Sequence, residues 1–156
     1  GDSVFFACDD GSSGVEPYWF NPLAAGLAVA RVYGQGCPGT LGIPRIGSAG
    51  LPRFGNQGFA VTLANALPNT SCVLDYAFAP ADVPIRGCRL LLQSPIGAGP
   101  LQVTGPNGGA SCSLPVPNAP ALSGAQLYLQ WVTLDAGGSL FGTLSLSDGL
   151  QVVLGS

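Results

Sequence analysis

The run Gln126-Leu127-Tyr128-Leu129-Gln130-Trp131-Val132-Thr133-Leu134 is the stretch that decides the fold. Apolar residues occupy both of its alternating faces, which is typical of a strand that is covered on two sides. We therefore expect a central strand of a sheet. The one stretch considered for a helix, residues 23–33, carries the β-branched Val29 and Val32 and is interpreted as a loop followed by a strand.

Shorter runs before and after it alternate between apolar and small or polar residues with a period of two. The residues expected to share a face are Phe59, Val61 and Leu63; Cys72, Leu74, Tyr76 and Phe78; Cys88, Leu90 and Leu92; and Ala110, Cys112 and Leu114. Ser147-Asp148-Gly149 separates the runs 140–146 and 150–154, and an Asp-Gly pair in that position favours a type I′ hairpin. The pattern predicts an all-β protein: a disulfide-braced β-sandwich, Greek-key or jelly-roll like, with about eight to ten short strands.

The charge content is unusually low. Thirteen of 156 residues (5 + 8) are charged, the bases are all arginine, and the net charge is −3. Such a chain lacks the clustered bases that bind nucleic acid, and its apolar runs are shorter than the roughly 20 residues of a membrane helix. We expect neither nucleic acid nor membrane insertion. Since charged surfaces keep neighbouring molecules apart, we expect contact with other copies of the chain or with a matrix instead.

Catalytic chemistry is not indicated. The chain has no histidine, which excludes Ser-His-Asp triads, Cys-His pairs and histidine-ligated zinc. Most acidic residues lie in predicted turns, where aspartates bond to backbone N–H groups. We predict no enzyme activity, no catalytic residue, no cofactor and no metal. Asp9-Asp10-Gly11 could offer oxygen ligands to calcium, but its spacing matches no EF-hand loop and a solvated turn is the preferred interpretation.

Five cysteines indicate an oxidising compartment, and we expect an extracellular or cell-surface protein. Cys72 and Cys112 both lie on apolar faces of predicted strands, which suits an internal bridge. The number is odd, so one cysteine is left over and the connectivity stays open. Cys8 lies on the segment least attached to the predicted domain and is the candidate for the cysteine left over, either as a buried free thiol or as a bridge between subunits.

Several segments of residues 33–156 resemble the opening, middle and end of a carboxy-terminal β domain found in large secreted bacterial proteins. They are Tyr33-Gly34-Gln35-Gly36-Cys37-Pro38-Gly39, Gly50-Leu51-Pro52, Gly55-Asn56 with Phe59, Gly87-Cys88-Arg89-Leu90-Leu91, Leu127-Tyr128-Leu129-Gln130-Trp131 and Ser147-Asp148-Gly149-Leu150. The resemblance implies an extracellular β domain and no activity. It also suggests a bridge between Cys37 and Cys88, because each belongs to one of these motifs.

The N-terminal residues are similar to one copy of the Glu-Leu-Trp/Asp-Gly-Thr repeats of secreted β-propeller-like proteins. Val4-Phe5-Phe6-Ala7-Cys8-Asp9-Asp10-Gly11 and Gly14-Val15-Glu16-Pro17-Tyr18-Trp19 carry this similarity, although Pro17-Tyr18 replaces the leucine. One copy cannot bury its own apolar face. We therefore predict an N-terminal extension, residues 1–30, with an apolar strand, followed by a β-sandwich domain, residues 31–156. With no methionine at Gly1, we expect a processed product or a piece of a longer chain.

Two functions follow. In the first, Val4, Phe5, Phe6 and Cys8 contact another subunit, and the protein is the extracellular structural subunit of a filament or surface layer that assembles by N-terminal strand exchange. In the second, it is a carboxy-terminal module that binds carbohydrate or anchors a larger secreted protein to extracellular glycan. Tyr128 and Trp131 are candidates for stacking on sugar, though they fall on opposite faces of one strand. Asn69-Thr70-Ser71 makes Asn69 a candidate glycosylation site.

Overall fold

The computed structural model describes residues 26–156 throughout, together with the backbone of two earlier strands. The described part contains thirteen strands and one turn of 3₁₀ helix, Pro120–Leu122, and no α-helix. The strands are β1 (Val4–Asp9), β2 (Val15–Phe20), β3 (Val29–Tyr33), β4 (Arg45–Ala49), β5 (Ala60–Ala64), β6 (Ser71–Ala77), β7 (Pro80–Ile85), β8 (Cys88–Leu92), β9 (Gly97–Ala98), β10 (Gln102–Val103), β11 (Ala110–Ser113), β12 (Gln126–Leu134) and β13 (Leu144–Val153).

The architecture is a sandwich built on one large antiparallel sheet. Its strand order is β10-β6-β12-β13-β3, and β9 also pairs with β6. A three-stranded sheet, β11-β5-β4, packs on one face, and a hairpin of β7 and β8 lies against the other. The predicted all-β, disulfide-braced sandwich is confirmed. The strand count exceeds eight to ten partly because β9 and β10 hold only two residues each.

The main core fills the space between the large sheet and the three-stranded sheet. Phe59, Val61 and Leu63 face Leu74, Leu129 and Trp131, and all six side chains are at most 3% exposed. The alternation in the sequence therefore gave the right inward faces for β5, β6 and β11. Burying an aromatic or aliphatic side chain of this size stabilises the fold by about 1.5–3 kcal/mol each.

The predicted central strand is confirmed. Strand β12 lies between β6 and β13 and is covered on both faces. The amide of Gln130 points away from the main core, where its oxygen accepts from the Leu91 N–H (3.0 Å) and its nitrogen donates to the Ser147 carbonyl (2.9 Å). This one buried side chain ties the β7–β8 hairpin to the large sheet, since all of its polar atoms are satisfied inside the protein.

The predicted hairpin at Ser147-Asp148-Gly149 is wrong. These residues lie in the middle of the ten-residue strand β13, where Ser147 and Asp148 stand opposite the single residue Trp131 of β12 and the pairing shifts register, as at a β-bulge. The buried Asp148 carboxylate accepts from the Gly36 N–H (3.3 Å) and from the Arg45 guanidinium (2.8 Å). Gly149 leaves room for the ring of Tyr33, which a Cβ at that position would overlap. Asp148 and Gly149 therefore make contacts with segments that are distant in the sequence and do not form a turn.

Gly36 explains part of the Tyr33–Gly39 motif. A Cβ on Gly36 would overlap the backbone of Leu146 and Ser147, and the next residue, Cys37, exchanges backbone hydrogen bonds with Leu146 (2.9 and 3.3 Å). The segment can approach β13 this closely only without a side chain at residue 36. The glycine therefore positions the disulfide and the N–H that Asp148 accepts.

We predict that Gly36→Ala destabilises the protein by about 1–3 kcal/mol or more, because backbone atoms cannot move aside as a flexible side chain can. Gly58→Ala is the matched control, since its new Cβ would meet no atom closer than the Asn56 Oδ1 at 3.5 Å. Urea unfolding followed by tryptophan fluorescence measures both variants. Equal midpoints for the two substitutions would show that the approach at residue 36 is not tight.

Candidate functional site

An apolar cleft lies at one end of the sandwich, and we call it the end cleft. Its volume is about 350 Å³, and it is lined by Phe59, Phe78, Val152, Leu154 and the segments 114–117 and 125–127. Gln126 is the one polar residue in this lining. The volume lies in the range of pockets that take ligands, but the lining offers no convergent polar groups that would orient a small polar molecule.

The end cleft is a place where the main core opens to solvent. Leu114, Leu127 and Leu154 pack against that core while remaining partly exposed. Phe78, which the alternation placed with Cys72 and Leu74, lies just beyond the end of β6, and its side chain is 70% exposed at the rim. Exposing a ring of this size to water is unfavourable, so the cleft is suited to an apolar partner.

One wall of the end cleft resists strand addition. Leu114 and Val116 donate their N–H groups inward, to the carbonyls of Phe59 (3.0 Å) and Asn56 (3.0 Å). The residues that alternate with them, Pro115 and Pro117, have no N–H to offer an incoming strand. The wall therefore accepts side chains by packing and not by extension of the sheet.

The chain enters the sandwich beside this cleft. The Ser156 N–H donates to the Gly26 carbonyl (3.0 Å), and the Leu154 N–H donates to the Ala125 carbonyl (2.9 Å). Gly26 also lies next to the Ser123 hydroxyl. Because Ala125 and Leu154 line the cleft, Gly26 lies near its rim.

The N-terminal strands form a sheet of their own. Strand β1 pairs with β2 in an antiparallel register that joins Val4 to Phe20, Phe5 to Trp19 and Cys8 to Glu16. Among the strands that the structure describes, neither pairs with the sandwich. The side chains of Val4, Phe5, Phe6, Cys8 and Asp9 lie outside the described residues, as do Asp10 and Gly11. The expected contact with another subunit and the expected solvated turn at residues 9–11 therefore stay predictions. The proposed division of the chain at residue 30 also stays a prediction.

The disulfide joins Cys37 to Cys88, with the two Cα atoms 4.8 Å apart, as the motif resemblance suggested. It lies in a small second core with Leu140 and Leu146, against the face of the large sheet opposite the main core. Closing a loop of about 50 residues stabilises the folded state by about 4 kcal/mol in the chain-entropy model. The bond indicates that the protein forms in an oxidising environment.

The expected bridge between Cys72 and Cys112 is not formed. Both are buried free cysteines in the main core, on β6 and β11 in opposite sheets. Burial raises the pKa of each thiol, and the neighbouring Cys112 raises that of Cys72 further. Both thiols are therefore protonated at neutral pH, and a protonated thiol is a poor nucleophile. Their side chains fill the core as small apolar groups.

Asp135 acts as a structural anchor for the segment around Thr40. Burial alone would raise the pKa of Asp135, but hydrogen bonds from the Thr40 hydroxyl, the Thr40 N–H and the Gly137 N–H outweigh burial and lower it. Burial raises the pKa of Asp75, which lies within β6. Across the described part of the chain, no three of the acids and cysteines gather where they could hold a metal ion.

Tyr128 and Trp131, the two candidates for stacking on sugar, lie on opposite faces of β12, as the alternation of the strand implied. Trp131 is fully buried, and its indole N–H donates to the Thr62 carbonyl (3.2 Å). Tyr128 lies on the opposite face of β12, with its ring edge-on to that of Tyr33 and the ring centres 5.8 Å apart. Its hydroxyl bonds to the amides of Gln126 (2.7 Å) and Gln151 (3.2 Å). Asn69 is exposed in a turn with a φ of 54°, so its amide is accessible.

Comparison with known proteins finds no family model, no curated protein and no solved structure that matches this chain. The two resemblances in the sequence therefore stay predictions. Within residues 26–156 and the two earlier strands, no helix has the length and apolarity to cross a bilayer.

We predict that thiol labelling of the unfolded, unreduced protein modifies Cys72 and Cys112 and leaves Cys37 and Cys88 unmodified. In the native protein Cys72 and Cys112 should react far more slowly than after unfolding, because both are at most 4% exposed. Mass spectrometry of peptides from labelled protein measures each site. Labelling of Cys37 together with protection of Cys112 in the unfolded chain would contradict this pairing.

Proposed function

We propose that this protein is an extracellular structural subunit that assembles with copies of itself into a filament or surface layer through its N-terminal segment. The observation that carries the proposal is the separate two-stranded sheet of β1 and β2. An isolated two-stranded hairpin is marginally stable in water and needs a surface to pack on. A second copy of the chain offers one.

The surface of the sandwich supports association between copies. Large apolar side chains are exposed all over the described part, namely Leu27, Val32, Leu41, Leu51, Phe78, Val83, Ile96, Leu101, Val103, Leu122, Leu134 and Phe141. Charges that could repel a neighbour are few, and some are compensated within the chain. Asp148 is paired with Arg45 at 2.8 Å, and Asp82 is paired with Arg89. Little electrostatic repulsion therefore opposes close contact.

The cellular location follows from the same proposal. A disulfide between Cys37 and Cys88 persists in an oxidising environment, and the outside of the cell is one. At the cell surface the cytosolic reductants that would break this disulfide are absent, so the bond can brace each subunit of an assembly there.

We predict that the full chain forms regular assemblies visible by electron microscopy at neutral pH, and that removing residues 1–20 yields monomers by light scattering. The truncated chain keeps all the residues of both described cores, so its thermal melting should remain cooperative. Undiminished assembly after the deletion would rule out the N-terminal segment as the connecting element. Dispersed monomers of the full chain would rule out the structural role itself.

A second candidate function rests on Tyr128. Its ring lies beside the side-chain amides of Gln126 and Gln151, which share hydrogen bonds with its hydroxyl. An aromatic ring flanked by amides suits the apolar face and the hydroxyl groups of a neutral sugar. This arrangement supports the alternative that the domain binds extracellular glycan.

We predict for this alternative that Tyr128→Ala weakens binding to a neutral polysaccharide at least tenfold, because it removes the stacking surface. Tyr76→Phe is the control, since it keeps a ring on the face that packs against the main core. Affinity electrophoresis in gels containing soluble glucans, xylans or mannans measures the change. No retardation of the unaltered protein at millimolar sugar would reject glycan binding.

A further inference from the structure

The β1–β2 hairpin carries aromatic residues on both of its faces. Its register joins Phe5 to Trp19 and Phe6 to Tyr18. Because alternate residues of a strand belong to opposite faces, the first pair lies on one face of the hairpin and the second pair on the other. One underlying surface can cover only one face. A hairpin that packed on its own sandwich alone would leave an aromatic pair in water.

The end cleft matches such an occupant in chemistry and size. Its lining is apolar except for Gln126, and its volume of about 350 Å³ can take a few large side chains. The prolines at 115 and 117 prevent the nearby edge from extending its sheet. The occupant must therefore be held by the packing of apolar side chains, and the hairpin supplies these.

The attachment of the N-terminal segment brings the hairpin to this end of the molecule. Strand β2 ends at Phe20 and the sandwich begins at Gly26, so five residues connect them. Fully extended, this connection spans roughly 20 Å. The connection therefore keeps the hairpin within roughly 20 Å of Gly26.

We propose that the end cleft is the receptor for the Val4–Phe20 hairpin of a second copy of the chain. One aromatic face enters the cleft of the neighbour, and the other is covered where the two subunits meet. This inference rests on the proposed assembly function and adds the surface on which assembly occurs. It also replaces strand addition at a sheet edge by side-chain packing as the mode of contact.

The first test places a charge in the contact. Phe78→Asp changes an exposed side chain at the rim and should weaken self-association at least tenfold by sedimentation velocity, because burying a carboxylate in an apolar cleft is costly. Phe141→Asp is the matched control, since Phe141 is 60% exposed and lies outside the cleft lining. Circular dichroism should show both variants folded.

The second test identifies the occupant and the subunit it comes from. In the full chain carrying Phe78→Cys, the new thiol and the native Cys8 should form a disulfide between two chains when glutathione disulfide accepts their two electrons and protons. Peptide mass spectrometry identifies the linked residues, and a non-reducing gel shows whether the link joins two chains. Phe141→Cys and the unaltered chain give the background level of cross-linking.

The outcomes separate this inference from the assembly itself. Loss of association with Phe78→Asp together with a link from Cys8 to residue 78 between chains supports the receptor role of the cleft. Assembly that is undiminished in Phe78→Asp overturns the cleft and leaves the structural role standing. A link between these residues within one chain overturns the second copy as occupant. Closed dimers that Phe78→Asp dissociates support the cleft and reject the filament.

Discussion

Strand β13 is covered on both faces and hydrogen-bonded on both edges, and the rest of the structure is arranged around that constraint. Nine of its ten residues are buried, including Ser145, Ser147, Asp148 and Gln151. Each polar group placed there must find a partner inside the protein. Thr133 and Ser145 bond to each other, Ser147 accepts from the Trp131 N–H, and Asp148 binds Gly36 and Arg45. These bonds fix the neighbouring segments onto the sheet.

The same constraint explains where interpretation of the sequence succeeded and where it failed. Alternation identified the inward faces of β5, β6 and β11 because each of these strands has one buried and one more exposed face. It misjudged Ser147-Asp148-Gly149 because a turn and a strand covered on both faces can use the same residues. Aspartate and glycine favour turns through local bonding and positive φ, whereas here they meet partners more than 100 residues away in the chain. No local pattern reports such a partner.

The cysteines separate in a similar way. Cys37 and Cys88 could be matched through the motifs around them. Their bond joins a loop to strand β8 on the face of the large sheet that carries the smaller core. Cys72 and Cys112 satisfied the same expectation of burial, yet burial alone does not give two sulfurs the separation and direction that a disulfide requires. The end cleft was also missed. It is formed by the ends of several strands, and the one local signal was the pair of prolines after β11, which indicates a blocked edge.

The low charge of the surface and the incomplete coverage of the main core both bear on how closely another molecule can approach this protein. The open end of the main core leaves Phe78, Leu127 and Leu154 partly in water, and the nearly uncharged surface around the sandwich does little to keep a neighbour away. In the assembly that we propose, the hairpin of a second copy covers this open end, and the hairpin in turn gains a surface to pack on. The absence of lysine and the scarcity of acids leave little electrostatic repulsion to oppose that contact.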